Sequence, residues 1–273
     1  MGRAKDIIVK VIPAKVANDF IRLHHYSGKV VNNSALHFGA FLDGALHGVM
    51  SYGSPLDKRK VLPLVTPCLW NEMLELNRMA FDSHLPKNSE SRCIAVSIKL
   101  LRKNAPHIKW ILSFSDATQC GDGSIYRASG FVLTAIIENK NTCLLQNGTV
   151  IHKMTLESAP TSPRPELLNK SYYDITGGKY DFLRYVKYCG GRVLPGYQIR
   201  YIYLIDKTCK INAPIIPFSK IDEIGAGMYK GEKITLAERQ KHALQALTDD
   251  AGGTPAAEGV RYDRSAQNPV KIP

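Results

Sequence analysis

The chain has 273 residues, 44% of them hydrophobic, and a formal net charge of +12. This composition allows one sizeable core with a small appendage, and no apolar run approaches the ~20 residues that cross a bilayer, so we expect no membrane protein. The excess of Lys and Arg favours an anionic partner, whether a nucleic acid, a membrane surface or a phosphorylated cofactor, although a merely soluble basic protein would carry the same charge.

Cysteine usage and the N-terminal residues favour a reducing compartment. The N-terminus offers no small-residue cleavage site of the signal-peptide type. The cysteines form no Cys-x-x-Cys pair, which argues against a zinc ribbon, and a disulfide framework is not expected in a chain of this size without an export signal. We therefore expect a cytoplasmic protein whose six cysteines stay reduced, namely Cys68, Cys93, Cys120, Cys143, Cys189 and Cys209.

The first elements alternate between strand and helix patterns. The β-branched run at 7–12 predicts a strand, and Pro13 stands at a suitable first position of a helix whose apolar residues recur at helical spacing until Gly28. Two apolar stretches then flank Asp43-Gly44, a pair that accepts the positive φ angles of a hairpin turn. A hairpin is therefore predicted over residues 36–53.

A loop rich in Pro and Lys at 54–68 separates the hairpin from a strand predicted at 73–81. Asn88 and Ser89 offer an N-cap for a helix with an apolar face. A buried strand at 109–114 follows that helix and ends just before Ser115-Asp116. A short helix at 124–129 is then stopped by Gly130.

The rest of the chain contains a second hairpin, 142–146 with 149–156, and a late strand at 198–205. Strands that alternate with helices, together with two hairpins, indicate an α/β (α+β) domain with a mixed sheet flanked by helices. Residues 157–192 are rich in Pro, Tyr, Gly and Lys and indicate an insertion or surface excursion. The pattern at 234–248 suits a helix.

The first polar cluster with chemical potential is His24-His25-Tyr26-Ser27-Gly28, at the end of the first helix. A His–Tyr pair at the mouth of a loop can supply acid/base groups or metal ligands. The alternative is structural, with one His capping the last carbonyls of the helix and the other lying on the surface.

The second cluster is Glu75-Leu76-Asn77-Arg78. Regular strand alternation predicts Glu75 and Asn77 on one face of the sheet and Leu76 and Arg78 on the other. An Arg on the same face as Leu needs a carboxylate or phosphate partner, or else its side chain must extend to water.

The third cluster, Asn88-Ser89-Glu90-Ser91-Arg92, opens a helix after a strand and a loop, which is an anion-binding arrangement. Capping alone would explain Asn88 and Ser89, but it would not explain Ser91 and Arg92. We therefore favour a binding role for this helix start.

The fourth cluster places Asp116 just past the end of a buried strand, where open α/β sheets bind their ligands. Tyr126 lies ten positions on, in the first turns of the next helix, and is expected to face the same cleft. The structural alternative is that Asp116 serves as a turn residue or a helix cap.

These motifs resemble two known patterns. Tyr126-Arg127-Ala128-Ser129-Gly130-Phe131 and the order of elements resemble the GNAT acyltransferases. The combination HHYSG, NNSALHFG, ELNRMAF, PKNSESR and SFSDATQCGDGSIYRASGF resembles the Mom family of Mu-like phages, which converts the adenine N6 amine of phage DNA to a carbamoylmethyl amine. The likeness runs from about Val11 to Phe131 and resumes at 197–205.

The resemblance implies a GNAT-like catalytic domain at 1–210, with the insertion at about 157–192, and a C-terminal extension at 211–248. Residues 249–273 are rich in Ala, Gly, Pro and charged residues without periodicity, which indicates a disordered tail. The resemblance also implies a function, namely DNA modification that protects the phage from host restriction, in the host cytoplasm. The implied catalytic residues are His25, Tyr26, Asp116 and Tyr126. The implied donor-binding residues are Arg78, Asn88, Ser89, Ser91 and Arg92.

The resemblance leaves the acyl donor open. The glycines of the usual GNAT pyrophosphate loop are missing at 88–92, so the backbone could approach coenzyme A less closely. Either an acyl-CoA or a glycyl-type donor is expected, and iron bound by His25, Tyr26 and Asp116 is a further alternative. The expected partner is DNA with its adenine flipped out of the stack. Two rival functions remain, an acetyltransferase for a small molecule or protein and a non-catalytic DNA-binding phage protein.

Overall fold

The structure is a computed structural model that describes residues 3–118, 121–164, 169–229 and 232–233. The helix predicted at 234–248 and the tail from 249 onward lie outside these residues. None of the helices within the described ranges is long and apolar enough to span a membrane.

The helices are α1 (Ala14–His24), α2 (Lys58–Val61), α3 (Ser89–Asn104), α4 (Ser124–Ala128), α5 (Lys153–Glu157), α6 (Tyr172–Thr176), α7 (Phe182–Tyr188) and α8 (Ser219–Glu223), with 3-10 helices at Arg3–Asp6 and Leu62–Leu64. The strands are β1 (Ile8–Val11), β2 (Ser34–Leu42), β3 (Ala45–Gly53), β4 (Val65–Thr66), β5 (Met73–Phe81), β6 (Trp110–Asp116), β7 (Val132–Glu138), β8 (Thr142–Leu144), β9 (Val150–His152), β10 (Arg192–Val193), β11 (Tyr197–Leu204), β12 (Lys210–Ile211), β13 (Met228–Tyr229) and β14 (Glu232–Lys233).

A seven-stranded sheet forms the centre, in the order β1-β2-β3-β5-β6-β11-β7. Its neighbours pair antiparallel except β5 and β6, which are parallel, so the predicted mixed α/β sheet is confirmed. The first hairpin is also confirmed, because Asp43 and Gly44 have φ angles of 51° and 83° between β2 and β3.

The second hairpin differs from its prediction in length. The strand predicted at 149–156 stops at His152, because the His152 side chain accepts the backbone N–H of Met154 at 3.1 Å and caps α5. The described parts of the segment interpreted as an insertion, 157–164 and 169–192, fold with this hairpin. A small sheet, β10-β8-β9, and the helices α5, α6 and α7 enclose a separate apolar core there.

Strand β5 contains a bulge that changes which side chains share a face. Tyr52 on β3 lies opposite Leu76, whereas the preceding Ser51 lies opposite Arg78, so Asn77 is an extra residue in β5. The prediction that Arg78 shares a face with Leu76 is therefore wrong: the bulge turns Arg78 to the face of Glu75. Regular alternation cannot reveal such an insertion.

The two faces of the sheet carry different helices. Helix α1 packs on one face, where Ala17 and Ile21 meet Val49 and Ala80 in an apolar cluster. Helices α3 and α4 cover the other, larger core, which includes Ile94 and Tyr126. We call these the α1 face and the α3 face. By register, Glu75, Arg78 and Asp116 all lie on the α1 face.

The parallel pairing of β5 with β6 ends inside both strands. It runs from Met73 opposite Trp110 to Leu76 opposite Ser113, although β5 continues to Phe81 and β6 to Asp116. The carboxyl ends of parallel strands are where α/β sheets bind ligands, and a pairing that stops early opens that edge. This edge, on the α1 face, positions the polar residues described next.

Candidate functional site

Arg78 ties the loop after α1 to strand β5. Its Nε donates to the Lys29 carbonyl oxygen at 3.0 Å, and an Nη donates to the Asn77 carbonyl oxygen at 3.0 Å. Its positive charge acts on two other side chains, lowering the pKa of both His25 and Glu75. The helix end and the bulged strand thus bring His25, Glu75 and Arg78 into one polar group.

Glu75 is the most strongly perturbed carboxyl group of this site. Burial raises its pKa to about 7, even though the nearby Arg78 charge opposes the rise. A carboxyl group with such a pKa exchanges its proton near neutral pH, which suits general acid/base chemistry. The sequence pattern placed Glu75 on a strand within a polar cluster but did not indicate its shifted pKa, because burial, the cause of the shift, leaves no local signature.

His25 is neutral at physiological pH. Burial lowers its pKa to about 4, and the Arg78 charge adds to this effect. Its Nδ1 accepts the backbone N–H of Ser27 at 3.2 Å and lies 2.8 Å from the Ser27 hydroxyl. Because Nδ1 is an acceptor, the ring proton belongs on Nε2, which makes His25 a hydrogen-bond donor through that atom.

Tyr26 presents an aromatic surface beside this group. Its ring lies 4.2 Å from the His25 ring, centroid to centroid, and 45% of the residue is exposed. An accessible ring of this kind can stack on a planar ligand.

Asp116, at the end of β6, belongs to a second polar group together with His152, at the end of β9. Its Oδ1 accepts the backbone N–H of Thr118 at 3.0 Å, a contact that matches the structural alternative of a turn residue. Burial lowers the pKa of the nearby His152, and the charge of Lys29 adds to this, whereas the charges of Asp116 and Glu157 oppose it. Sequence reasoning missed His152, which only the return of β9 brings to this edge.

Lys29 joins the two polar groups. Its backbone carbonyl accepts from Arg78, and its ammonium group donates to the Thr155 hydroxyl at 2.5 Å on α5. Four of the predicted site residues, His25, Tyr26, Arg78 and Asp116, are thus placed along one edge of the sheet.

Asn77, the bulge residue, holds a buried donor at this edge. Its Oδ1 accepts the Ser34 hydroxyl at 2.8 Å, while its Nδ2 is buried and has no hydrogen-bond partner within the described residues. An unsatisfied buried amide is costly and is typical of a position where a ligand completes the bonding.

Tyr126 lies on the α3 face and does not join His25 and Arg78. The residue is 8% exposed, and its ring lies 5.1 Å from Tyr201 and 5.4 Å from Phe131. Burial raises the pKa of Tyr52, whose hydroxyl lies 2.7 Å from that of Ser97, and the charge of an ionised Tyr126 would add to this rise. The catalytic role of Tyr126 stays a prediction.

The helix start at 88–92 is bonded to the protein itself. Asn88 occupies the predicted N-cap position of α3 in a left-handed conformation with φ 67°, but its side chain makes no capping hydrogen bond. The Ser89 hydroxyl donates to the Pro86 carbonyl, the Ser91 hydroxyl donates to the Asn88 carbonyl at 3.2 Å, and an Arg92 Nη donates to the Lys5 carbonyl at 3.0 Å. Their donor-binding roles stay predictions.

The structure gives no support to iron at His25, Tyr26 and Asp116. Within the described residues, the group of His, Cys, Asp and Glu side chains placed to share a metal ion is His47, Asp82 and His84. Neither His25 nor Asp116 belongs to it.

Comparison with known proteins agrees with the motifs. The model of the Mom protein family matches residues 6–220. A methylcarbamoylase of Escherichia phage Mu is 31% identical over 191 residues, which cover 69% of this chain and 78% of that protein.

Solved structures give a weaker likeness. A GNAT family acetyltransferase from Elizabethkingia anophelis, solved with acetyl-CoA bound, has 13% identity and a TM-score of 0.39, over 73% of this chain and 98% of that chain. The ribosomal-protein-S18-alanine N-acetyltransferase of Escherichia coli has 10% identity and a TM-score of 0.37, over 73% of this chain and 94% of that chain. Values this low carry no argument about donor or mechanism. The family match and the Mu relative together show that the chain belongs to the Mom protein family.

Proposed function

We propose that this protein modifies DNA by converting the N6 amine of adenine to a carbamoylmethyl amine, which protects phage DNA from restriction. The Mu relative is a methylcarbamoylase, and the net charge of +12 suits a polyanionic substrate. The observation that carries the proposal is the group His25, Glu75 and Arg78, in which one acid titrates near pH 7 beside a neutral imidazole.

Glu75 is the proposed general base. The exocyclic N6 is a weak nucleophile and must lose a proton when it forms a new bond to carbon. With a pKa of about 7, Glu75 is partly ionised at neutral pH and is basic enough to accept that proton. Asp116 is the second candidate base, because it lies on the same face of the sheet at the end of β6.

The donor carbonyl would be held by fixed hydrogen-bond donors. The Nε2–H of His25, the Arg78 guanidinium and the unpartnered Asn77 Nδ2 are all fixed in direction by contacts within the site. Such preorganised donors stabilise the negative charge that develops on a carbonyl oxygen during acyl transfer.

The target base must leave the helix to reach this edge. An adenine flipped from the duplex can stack on the exposed ring of Tyr26, and nearby Lys29 can contact the flanking phosphate. Half-exposed aromatic and basic side chains next to a buried acid are the arrangement that such a substrate requires.

The product places a CH2 on N6, which simple acetyl transfer does not give. In the proposed route, N6 attacks an activated glycyl carbonyl, the leaving group departs with a proton, and an amide forms. The glycyl amine then attacks C6 through a five-membered ring and expels the amide nitrogen, leaving N–CH2–CONH2. The rearranged product contains the same atoms as the glycyl amide from which it forms, so this step needs no oxidant or reductant.

The test is nucleoside mass spectrometry of DNA from cells that express the full chain. We expect an adenine heavier by C2H3NO, lost in Glu75→Gln and retained in Glu138→Gln, whose carboxylate is exposed and paired with Lys140. An adduct of C2H2O would identify an acetyltransferase instead, and unmodified DNA with tight binding would identify a non-catalytic protein. Glycine labelled at its α-carbon should label the CH2, and an unlabelled product would rule out the glycyl route.

A further inference from the structure

A second polar cluster lies away from the proposed active site. It consists of His47, near the start of β3, Asp82, directly after β5, and His84, two residues later. The backbone N–H of Asp82 donates to the His47 carbonyl at 3.0 Å, which fixes the two chain segments against each other. Asp82 lies four positions after Arg78 in the chain, which corresponds to about 13 Å along an extended strand. The cluster is therefore distinct from the group of His25, Glu75 and Arg78.

The cluster has the geometry of a metal-binding group. His47 Nδ1 lies 2.8 Å from Asp82 Oδ2, and His84 Nδ1 lies 3.4 Å from Asp82 Oδ1. One ligand atom from each residue can be chosen so that all three lie within 4.8 Å of one another. A tetrahedral ion with bonds of about 2.0–2.2 Å holds its ligand atoms roughly 3.3 Å apart, so small rotations of the side chains would complete the site.

Local structure already restrains two of the three ligands. The side chains of His47 and Asp82 are only 17% and 13% exposed, whereas that of His84 is 73% exposed. The His84 backbone N–H donates to Asp82 Oδ1 at 2.9 Å, which folds the loop so that His84 stays beside the carboxylate. The exposed side leaves room for water as a further ligand.

We propose that His47, Asp82 and His84 bind a divalent transition-metal ion such as Zn²⁺. Two imidazoles and one carboxylate suit Zn²⁺ or Co²⁺, whereas Ca²⁺ and Mg²⁺ prefer sets of oxygen ligands. The ion would tie β3 to the 82–88 loop, which leads from β5 into α3, and so would fix the start of that helix. This site is independent of the proposed function.

The experiment uses the full chain after treatment with EDTA and dialysis. Titration with Zn²⁺ alone should show one equivalent by calorimetry, and Co²⁺ alone should give visible absorption bands typical of a site with nitrogen ligands. His84→Ala should lower the affinity at least about tenfold, because loss of even an outer-shell partner costs that much. His107→Ala removes an exposed histidine in the turn after α3, and this variant should bind Zn²⁺ as tightly as the parent.

Asp82→Asn provides a second, conservative variant. The amide keeps the shape and can still bond to His47, but it lacks the charge that a metal requires, so binding should again fall while circular dichroism stays unchanged. Hydrogen exchange at 82–88 should slow with Zn²⁺ in the parent and not in either variant. The proposal fails if the parent takes up no stoichiometric ion, or if His84→Ala and Asp82→Asn bind as tightly as the parent; the cluster would then be a hydrogen-bonded one only.

Discussion

The two faces of the central sheet differ in the polar side chains that lie near the candidate site. On the α3 face, Tyr52 bonds to Ser97 at 2.7 Å, and the Ser113 hydroxyl donates to the Leu76 carbonyl at 3.0 Å. On the α1 face, burial pushes the pKa of Glu75 up to about 7 and that of His25 down to about 4. Hydroxyl groups on the first face bond within the fold, whereas burial shifts the pKa of an acid and an imidazole on the second face toward their neutral forms.

The difference arises from how each face is covered. Helix α3 contributes an apolar surface that includes Ile94 and Ile98, and its Ser97 hydroxyl lies 2.7 Å from the Tyr52 hydroxyl. At this edge the α1 face is covered by the end of α1 and the loop after it, whose Lys29 carbonyl accepts a hydrogen bond from Arg78. The Arg78 charge offsets only part of the effect of burial on Glu75. Burial without full compensation is the condition for a shifted pKa.

The largest expected effect is on catalysis, from Glu75→Gln. Removal of a general base typically costs about 10²–10⁴-fold in rate, so the modified adenine should fall at least a hundredfold while the fold is preserved. Quantitative mass spectrometry of DNA incubated with equal amounts of parent and variant measures this. Product at the parental level would assign the base to another residue, Asp116 first.

The same substitution should change how stability depends on pH. The pKa of Glu75 is raised from 4.5 to about 7 by burial, so the stability it contributes below pH 4.5 is lost as pH rises through 7. His25, lowered to about 4, acts in the opposite direction between pH 4 and 6.5. The two effects largely cancel in the parent.

Glu75→Gln should therefore gain on the order of 2–3 kcal/mol in unfolding free energy relative to the parent between pH 4.5 and 8. Urea unfolding at several pH values measures the gain. Glu138→Gln, an exposed carboxylate, serves as the control and should show no such trend. If the difference in unfolding free energy between variant and parent stays constant across this pH range, the pKa of Glu75 is not raised in the folded protein.

On the α3 face, Tyr52→Phe should affect stability alone. It removes the buried hydroxyl contact with Ser97, which costs about 1–2 kcal/mol, because Ser97 keeps its bond to the Ile94 carbonyl at 2.8 Å. Urea unfolding and the DNA assay together measure the effect. A large loss of product with unchanged stability would show that the α3 face takes part in the reaction.

Much of the fold was predictable because it depends on local patterns. The strand at 73–81 and the turn at Asp43-Gly44 follow from periodicity and turn chemistry, and both are confirmed. Strand β7 was not predicted separately, and the strand predicted at 149–156 is longer than the observed β9, which ends at His152. In the latter case a single side-chain cap by His152 overrides the apolar pattern.

The candidate site was predictable only in part. Motif resemblance found His25, Tyr26, Arg78 and Asp116, which the structure places along one edge. It could not find Glu75 or His152, because the chemistry of both depends on burial and on segments distant in sequence. The bulge at Asn77 also reverses the side-chain alternation on which the sequence argument about Arg78 relied.

The smallest expected effect tests whether the α1-face residues act as one group. Arg78→Gln removes a positive charge that lowers the pKa of both Glu75 and His25. Both pKa values should therefore rise, because a nearby positive charge disfavours the protonated form of a carboxyl group and of an imidazole alike. NMR titration of the labelled carboxyl and imidazole groups measures both shifts. Lys15→Gln, which removes an exposed cation of α1 paired with Asp19, should leave both unchanged. If only one of the two pKa values moves, Glu75 and His25 do not share the field of Arg78, and the proposed active site must be divided.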